Sequence, residues 1–134
     1  MIPFRPIFLK RAYKYSLGSI PGGGPKQALD AVTKWLKGYK EDKPLYIAEL
    51  DIRKFYENVD LDILRAKLGK LIRDKEYLDL LFRSLDNRGP GLPLGYYTSP
   101  WLGNFYLTSL DNYILQDLKP DHYLRYLDNM FLFS

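Results

Sequence analysis

The decisive stretch is Tyr123-Leu124-Arg125-Tyr126-Leu127-Asp128-Asn129-Met130-Phe131-Leu132-Phe133. Two apolar runs flank Asp128-Asn129. Both of those residues tolerate the positive φ of a tight turn, so the pattern predicts a β-hairpin with a carboxylate at its tip. A second carboxylate occupies a comparable place upstream. After Pro44, the run Leu45-Tyr46-Ile47-Ala48-Glu49-Leu50-Asp51-Ile52 reads as a strand. Its alternation puts Tyr46, Ala48, Leu50 and Ile52 on one face and Leu45, Ile47, Glu49 and Asp51 on the other. If this strand pairs beside the hairpin, Asp51 and Asp128 meet at one sheet edge.

Helices are expected around these strands. Pro25 suits a first helical position, Ala28, Ala31, Val32, Trp35 and Leu36 follow at helical spacing, and Gly38 ends the pattern. Asp60 can cap a helix carrying Leu61, Leu64, Leu68 and Leu71, and Asp74 another carrying Tyr77, Leu78, Leu81 and Leu85. Asn87 to Gly95 is rich in Gly and Pro and reads as a loop. Thr98 or Ser99 can cap a long helix with the stripe Leu102, Phe105, Tyr106, Leu110, Tyr113 and Ile114, closed by Pro120. The sum is an α+β fold: an antiparallel sheet with helices on one face.

Composition narrows the chemistry. The chain has 134 residues, 46% hydrophobic and 27% charged, which fits a globular chain rather than a disordered one. It has no run of 18 apolar residues, so no membrane span is expected. It has no cysteine and a single histidine, His122. This excludes a disulfide framework, a thiol nucleophile, and Cys- or His-rich metal sites. A metal would have to be held by oxygen ligands, which points to magnesium or manganese. Charge is uneven: residues 1–44 hold nine Lys/Arg against three Asp/Glu, and residues 45–134 hold eleven against thirteen. A basic front and an acidic rear suit a protein that grips a polyanion with one part and holds cations with another.

Four segments in order carry a resemblance. They are Ser16 to Gly24, Asp51-Ile52-Arg53-Lys54-Phe55-Tyr56, Gly91 to Pro100, and Tyr126-Leu127-Asp128-Asn129. The first resembles the fingers motif Ser-x-Gly-x-x-Pro-Gly of bacterial reverse transcriptases. The others resemble polymerase motifs A, B and C, the last being a Tyr-x-Asp-Asp box whose second Asp is Asn129. The resemblance spans roughly residues 13–134. It implies a polymerase palm-like sheet plus partial fingers, with residues 1–44 as a fingers segment and 45–134 as the palm core. A helical thumb is absent, so the chain reads as a fragment of an RNA-directed DNA polymerase, inactive by itself.

The resemblance also implies roles. Asp51 and Asp128 would hold catalytic Mg2+ (or Mn2+), with the Ile52 carbonyl completing the ligand set. Tyr56 would crowd the sugar 2′ position and select deoxynucleotides, since the 2′-hydroxyl distinguishes ribonucleotides. Arg53 and Lys54 would face phosphates. Pro93 and Gly95 would lie near the incoming nucleotide, and Asn129 near the primer end. Leu94 stands where many relatives carry Gln, and Gly23 where bacterial relatives often carry Arg. The expected partners are an RNA template, a DNA primer and deoxynucleoside triphosphates. Lys10, Arg11, Lys14 and Lys26 are candidates for weak nucleic-acid contact. The expected setting is the cytoplasm of a bacterial or phage-infected cell, without a membrane, and an exposed sheet edge could pair copies of the chain. The competing reading is a non-catalytic or degenerate palm module that binds nucleic acid.

Overall fold

The computed structural model describes residues 5–86 and 89–134. In chain order its elements are α1 (Arg5–Arg11), α2 (Pro25–Lys37), β1 (Ile47–Asp51), α3 (Phe55–Asn58), α4 (Leu61–Gly69), α5 (Lys75–Asp86), α6 (Thr98–Tyr106), α7 (Thr108–Tyr113), a π-helical segment (Ile114–Leu118), β2 (His122–Tyr126) and β3 (Asn129–Phe133). They form two compact units, each discontinuous in sequence: Met1–Arg11 with Arg53–Leu107, and Ala12–Ile52 with Thr108–Ser134.

The second unit is built on a three-stranded antiparallel sheet in the order β1-β3-β2. Its register sets Asp51 opposite Asn129 and Tyr126 opposite Asn129. Alternation then sorts the side chains onto two faces. Leu124 and Phe133 pack with Ala31 and Trp35 of α2 on one face. The Trp35 ring stacks on His122 at 4.7 Å and meets Phe133 edge-on at 5.6 Å. On the other face Tyr123 and Met130 pack with Ile114, and Ile52, Leu110 and Leu132 join them. Helical segments therefore pack on both faces of β2 and β3, and the expectation of helices on one face is corrected. The cause lies in β2 and β3, which carry large apolar residues at both parities, whereas β1 is exposed along its length. Pro25 does open α2, where its missing N–H costs nothing.

The first unit is helical. The Asp60 carboxylate accepts from the Asp62 and Ile63 amides and starts α4, as expected. Asp74 accepts from the Tyr77 amide at 3.1 Å and starts α5. Leu64 and Leu68 of α4, and Leu78, Phe82 and Leu85 of α5, are buried. α1, which the sequence reading did not foresee, stacks Phe8 on Phe105 of α6 with centroids 4.6 Å apart. Asn87 and Arg88, at the start of the expected loop, lie outside the described residues.

Two expectations about helix boundaries are corrected. The long helix from residue 98 is not continuous: α6 ends with Leu107 as its cap and α7 begins at Thr108. Nor does Ser99 or Thr98 cap α6, since Tyr97 stands at that position without a side-chain cap bond. The Ser99 hydroxyl is buried and donates instead to the Pro93 carbonyl at 2.6 Å. Among the described residues, no helix is long and apolar enough to cross a membrane.

Candidate functional site

The sheet unit brings the two singled-out carboxylates to one place in the backbone. Asp51 is the last residue of β1, exposed, with Asn129 as its cross-strand partner. The next residue, Ile52, donates its amide to the Asp128 carbonyl at 3.3 Å. Asp128 is half-buried in the hairpin connection. Because β1 pairs with β3, Asp51, Ile52, Asp128 and Asn129 lie at one end of the sheet in the backbone, the condition under which Asp51 and Asp128 were expected to meet. Carboxylates and backbone carbonyls are hard oxygen donors, the type that could hold magnesium or manganese. Among the described residues there is no group of three or more His, Cys, Asp or Glu side chains that could hold a metal. Asn129, across the strand pair from Asp51, carries a neutral amide.

The turn itself is shifted from expectation. Its two central residues are Leu127 and Asp128, and Asn129 already belongs to β3. Leu127, not Asp128 or Asn129, takes the positive φ, at 55°. Glycine normally fills the first position of such a connection, and a branched side chain there costs roughly 1–2 kcal/mol. Two contacts accompany this conformation. The Leu127 carbonyl accepts from the Arg125 guanidinium at 2.8 Å. On the other side, a Cβ at Gly18 would lie 2.6 Å from the Leu127 nitrogen, so only glycine lets the turn approach this closely.

Gly18 belongs to the stretch that resembles a fingers motif. The backbone of this stretch runs beside β2: the Arg125 amide donates to the Tyr15 carbonyl at 3.0 Å, and the Leu17 amide to the Arg125 carbonyl at 2.9 Å. Residues 15–18 therefore serve as a partner of the hairpin.

Beneath the turn lies an ion pair that the sequence reading missed. Asp111 of α7 and Arg125 of β2 are both about 1% exposed at the side chain. Arg125 Nε meets one Asp111 oxygen and the Nη2 group the other, each at 2.8 Å. The Tyr123 hydroxyl donates to Asp111 at 2.6 Å, and the Tyr13 hydroxyl to the Tyr123 carbonyl at 2.8 Å. Burial pushes the Tyr13 phenol up to about 12, with the charges of Tyr15 and Asp111 adding to it. Burial raises the Tyr123 phenol well above its ordinary range, and the Asp111 carboxylate adds to the effect. A charged residue at an apolar-face position of β2 was the available signal for this pair.

Tyr126 and Asn129 also line an open apolar groove of about 630 Å3 between α2 and the sheet, together with Leu29, Val32, Ile47 and Phe131.

The remaining site residues belong to the helical unit. Arg53 and Lys54 are exposed. Lys54 adopts a left-handed conformation (φ 49°, ψ 50°) and turns the chain into α3. The Asn58 side chain secures that turn on the Arg53 carbonyl at 3.0 Å. Tyr56 is half-buried in α3, with its ring 5.3 Å from that of Phe55, and its carbonyl accepts from the Leu92 amide at 2.7 Å. A Cβ at Gly91 would fall 2.0 Å from the same carbonyl, and Gly91 has φ 71°, so glycine is required there on both counts. The Gly91–Pro93 backbone is therefore docked on α3. Pro93 is buried and held by Ser99, whereas Gly95 is exposed with φ 83°.

The chain has a relative among known proteins. It is 30% identical over 80 residues to a Saccharomyces cerevisiae protein named for intron 1 of COX1/OXI3, an alignment covering 52% of this chain and 10% of that protein. The chain thus spans about a tenth of the length of the curated relative it matches. No family model matches.

Proposed function

We propose that this chain supplies the metal-binding centre of an RNA-directed DNA polymerase, which adds deoxynucleotides to a primer 3′ end on an RNA template. One observation carries the reading: the end of β1 and the hairpin turn are joined by the Ile52–Asp128 backbone bond, which gathers Asp51 and Asp128 at one end of the sheet. The order of the four motif-like segments supports it, and so does the similarity to a protein named for an intron. In this reading Asp51 and Asp128 bind magnesium through anionic oxygens, with the Ile52 carbonyl as a further donor. Bound magnesium would lower the barrier to attack by the primer 3′-hydroxyl on the α-phosphate of a deoxynucleoside triphosphate, in which the α–β phosphoanhydride bond breaks and pyrophosphate leaves. Tyr56 excludes a 2′-hydroxyl, Arg53 and Lys54 neutralise phosphates, and Pro93 and Gly95 border the nucleotide. Asn129 offers a neutral amide near the primer end.

The test is RNA-templated primer extension with Mg2+ by the product of the native reading frame, as wild type and as Asp51→Asn and Asp128→Asn. Magnesium-dependent extension lost in both variants supports the reading. Equal extension by all three proteins refutes it. A second reading, a non-catalytic nucleic-acid module, is favoured by one observation, the amide at position 129 in place of a third carboxylate. Salt-sensitive binding to an RNA–DNA duplex with no extension, by wild type and Asn129→Asp alike, would establish it.

A further inference from the structure

We infer that the buried Asp111–Arg125 pair is a positioning device that holds the Leu127-Asp128 turn in its left-handed form and so aims Asp128. The site it serves rests on the proposed metal-binding reading.

The geometry is specific. Arg125 presents a planar fork of N–H donors. Two of its nitrogens are fixed on the two Asp111 oxygens at 2.8 Å each, which sets the plane of the guanidinium. The remaining terminal nitrogen donates to the Leu127 carbonyl at 2.8 Å. The Asp111 carboxylate is itself oriented by the Tyr123 hydroxyl at 2.6 Å. A chain of oriented donors therefore runs from the α7 helix to the turn that carries Asp128. Leu127 cannot hold φ 55° cheaply by itself. Gly18 packs closely against the turn, since a Cβ there would lie 2.6 Å from the Leu127 nitrogen. A buried ion pair is an expensive way to gain stability, since apolar residues of equal volume often do as well. What apolar residues cannot supply is a charged donor on the Leu127 carbonyl.

Lysine at 125 keeps the charge facing Asp111 but cannot bond both carboxylate oxygens and the turn in one plane. Leu127→Gly removes the need for the restraint, because glycine adopts positive φ freely. This pairing separates positioning from general stability.

The experiment measures two quantities on the chain. The first is hydrogen-exchange protection of the Ile52 amide, which bonds the Asp128 carbonyl, relative to the Tyr46 amide, which bonds the Ser134 carbonyl at the other end of the sheet. The second is Mn2+ affinity by electron paramagnetic resonance. Arg125→Lys should lower the Ile52/Tyr46 protection ratio and the Mn2+ affinity by about tenfold or more, the scale of one hydrogen bond to a charged group. Arg125→Lys combined with Leu127→Gly should restore both. The milder Tyr123→Phe, which leaves the ion pair in place, should show a smaller loss restored the same way, and it serves if Arg125→Lys does not fold.

An unchanged ratio in Arg125→Lys or Tyr123→Phe, or a loss that Leu127→Gly does not restore, overturns the positioning role. If the ratio falls and is restored while Mn2+ binds equally to every variant, Asp128→Asn included, the turn restraint stands and the metal-binding reading fails.

Discussion

Replacing Asn129 by aspartate sets a carboxylate directly across the sheet from Asp51, because the two residues are register partners in β1 and β3. Side chains so opposed have Cβ atoms about 4.5–5.5 Å apart, and like charges there are destabilising. Two unit charges ~5 Å apart repel by ~0.8 kcal/mol in water and ~3 kcal/mol at an effective dielectric of about 20. Asp51 is exposed, so the cost lies near the watery end, at about 1 kcal/mol. With a slope of about 2 kcal/mol per molar, the urea midpoint of Asn129→Asp should fall by ~0.5 M in metal-free buffer at pH 7. The sign with pH is fixed: repulsion raises the folded-state pKa of one carboxyl of the pair, so the penalty is present at neutral pH. It vanishes as pH falls below the ordinary carboxylate range of about 4. A divalent cation held by the pair reverses the cost, since a free concentration tenfold above the dissociation constant adds ~1.4 kcal/mol. The assay is urea unfolding of wild type and Asn129→Asp in chelator and in MgCl2, at pH 7 and pH 3. A variant as stable as wild type in chelator, or one indifferent to Mg2+, refutes the reasoning.

Other perturbations test separate parts of the structure. Gly18→Ala should destabilise the fold by about 1–3 kcal/mol, as overpacking does, because its Cβ would press on the Leu127 nitrogen; chemical denaturation reads this. Alkaline titration should find the Tyr13 phenol still protonated above pH 10. Its raised folded-state value, about 12, gives stability that is full below about 10 and is lost as pH rises through 12, which circular dichroism against pH will show. In primer extension by the native reading frame, Tyr56→Ala should narrow the preference for deoxynucleotides over ribonucleotides by tenfold or more, measured as the ratio of the two kcat/KM values, on the scale of ~1.4 kcal/mol per factor of ten.

The elements with local signals were legible in the sequence. Pro25 at a helix start, Asp60 and Asp74 as caps, the alternation of residues 45–52 and the two apolar runs of the hairpin each express a short-range preference that the fold keeps. The misses have several causes. Asp128-Asn129 looked like the turn by intrinsic preference, yet the φ 55° conformation falls on Leu127, whose carbonyl accepts from the nearby Arg125 and whose nitrogen is closely approached by Gly18 from a distant part of the chain. α1 was hidden by Pro3 and Pro6, although proline is tolerated in a first helical turn. α3 has four residues, too few for a periodic stripe, and its entry needs a left-handed Lys54. Asp111 lies off the apolar stripe expected of its helix, and its partner Arg125 is on a strand. The carboxylates of the candidate site could be picked out because each ends an apolar run. For the Asp111–Arg125 pair the sequence offered only a charge at an apolar-face position of β2, and not its partner, which lies 14 residues away on another element.

The most direct measurement is Mn2+ binding to this chain, followed by electron paramagnetic resonance of the free ion, for wild type, Asp51→Asn and Asp128→Asn. The expected result is Mn2+ binding by wild type, competed by Mg2+ and weakened at least tenfold in each single variant. Binding that is absent in wild type, or undiminished in both variants, would contradict the assignment of Asp51 and Asp128 to one cation site.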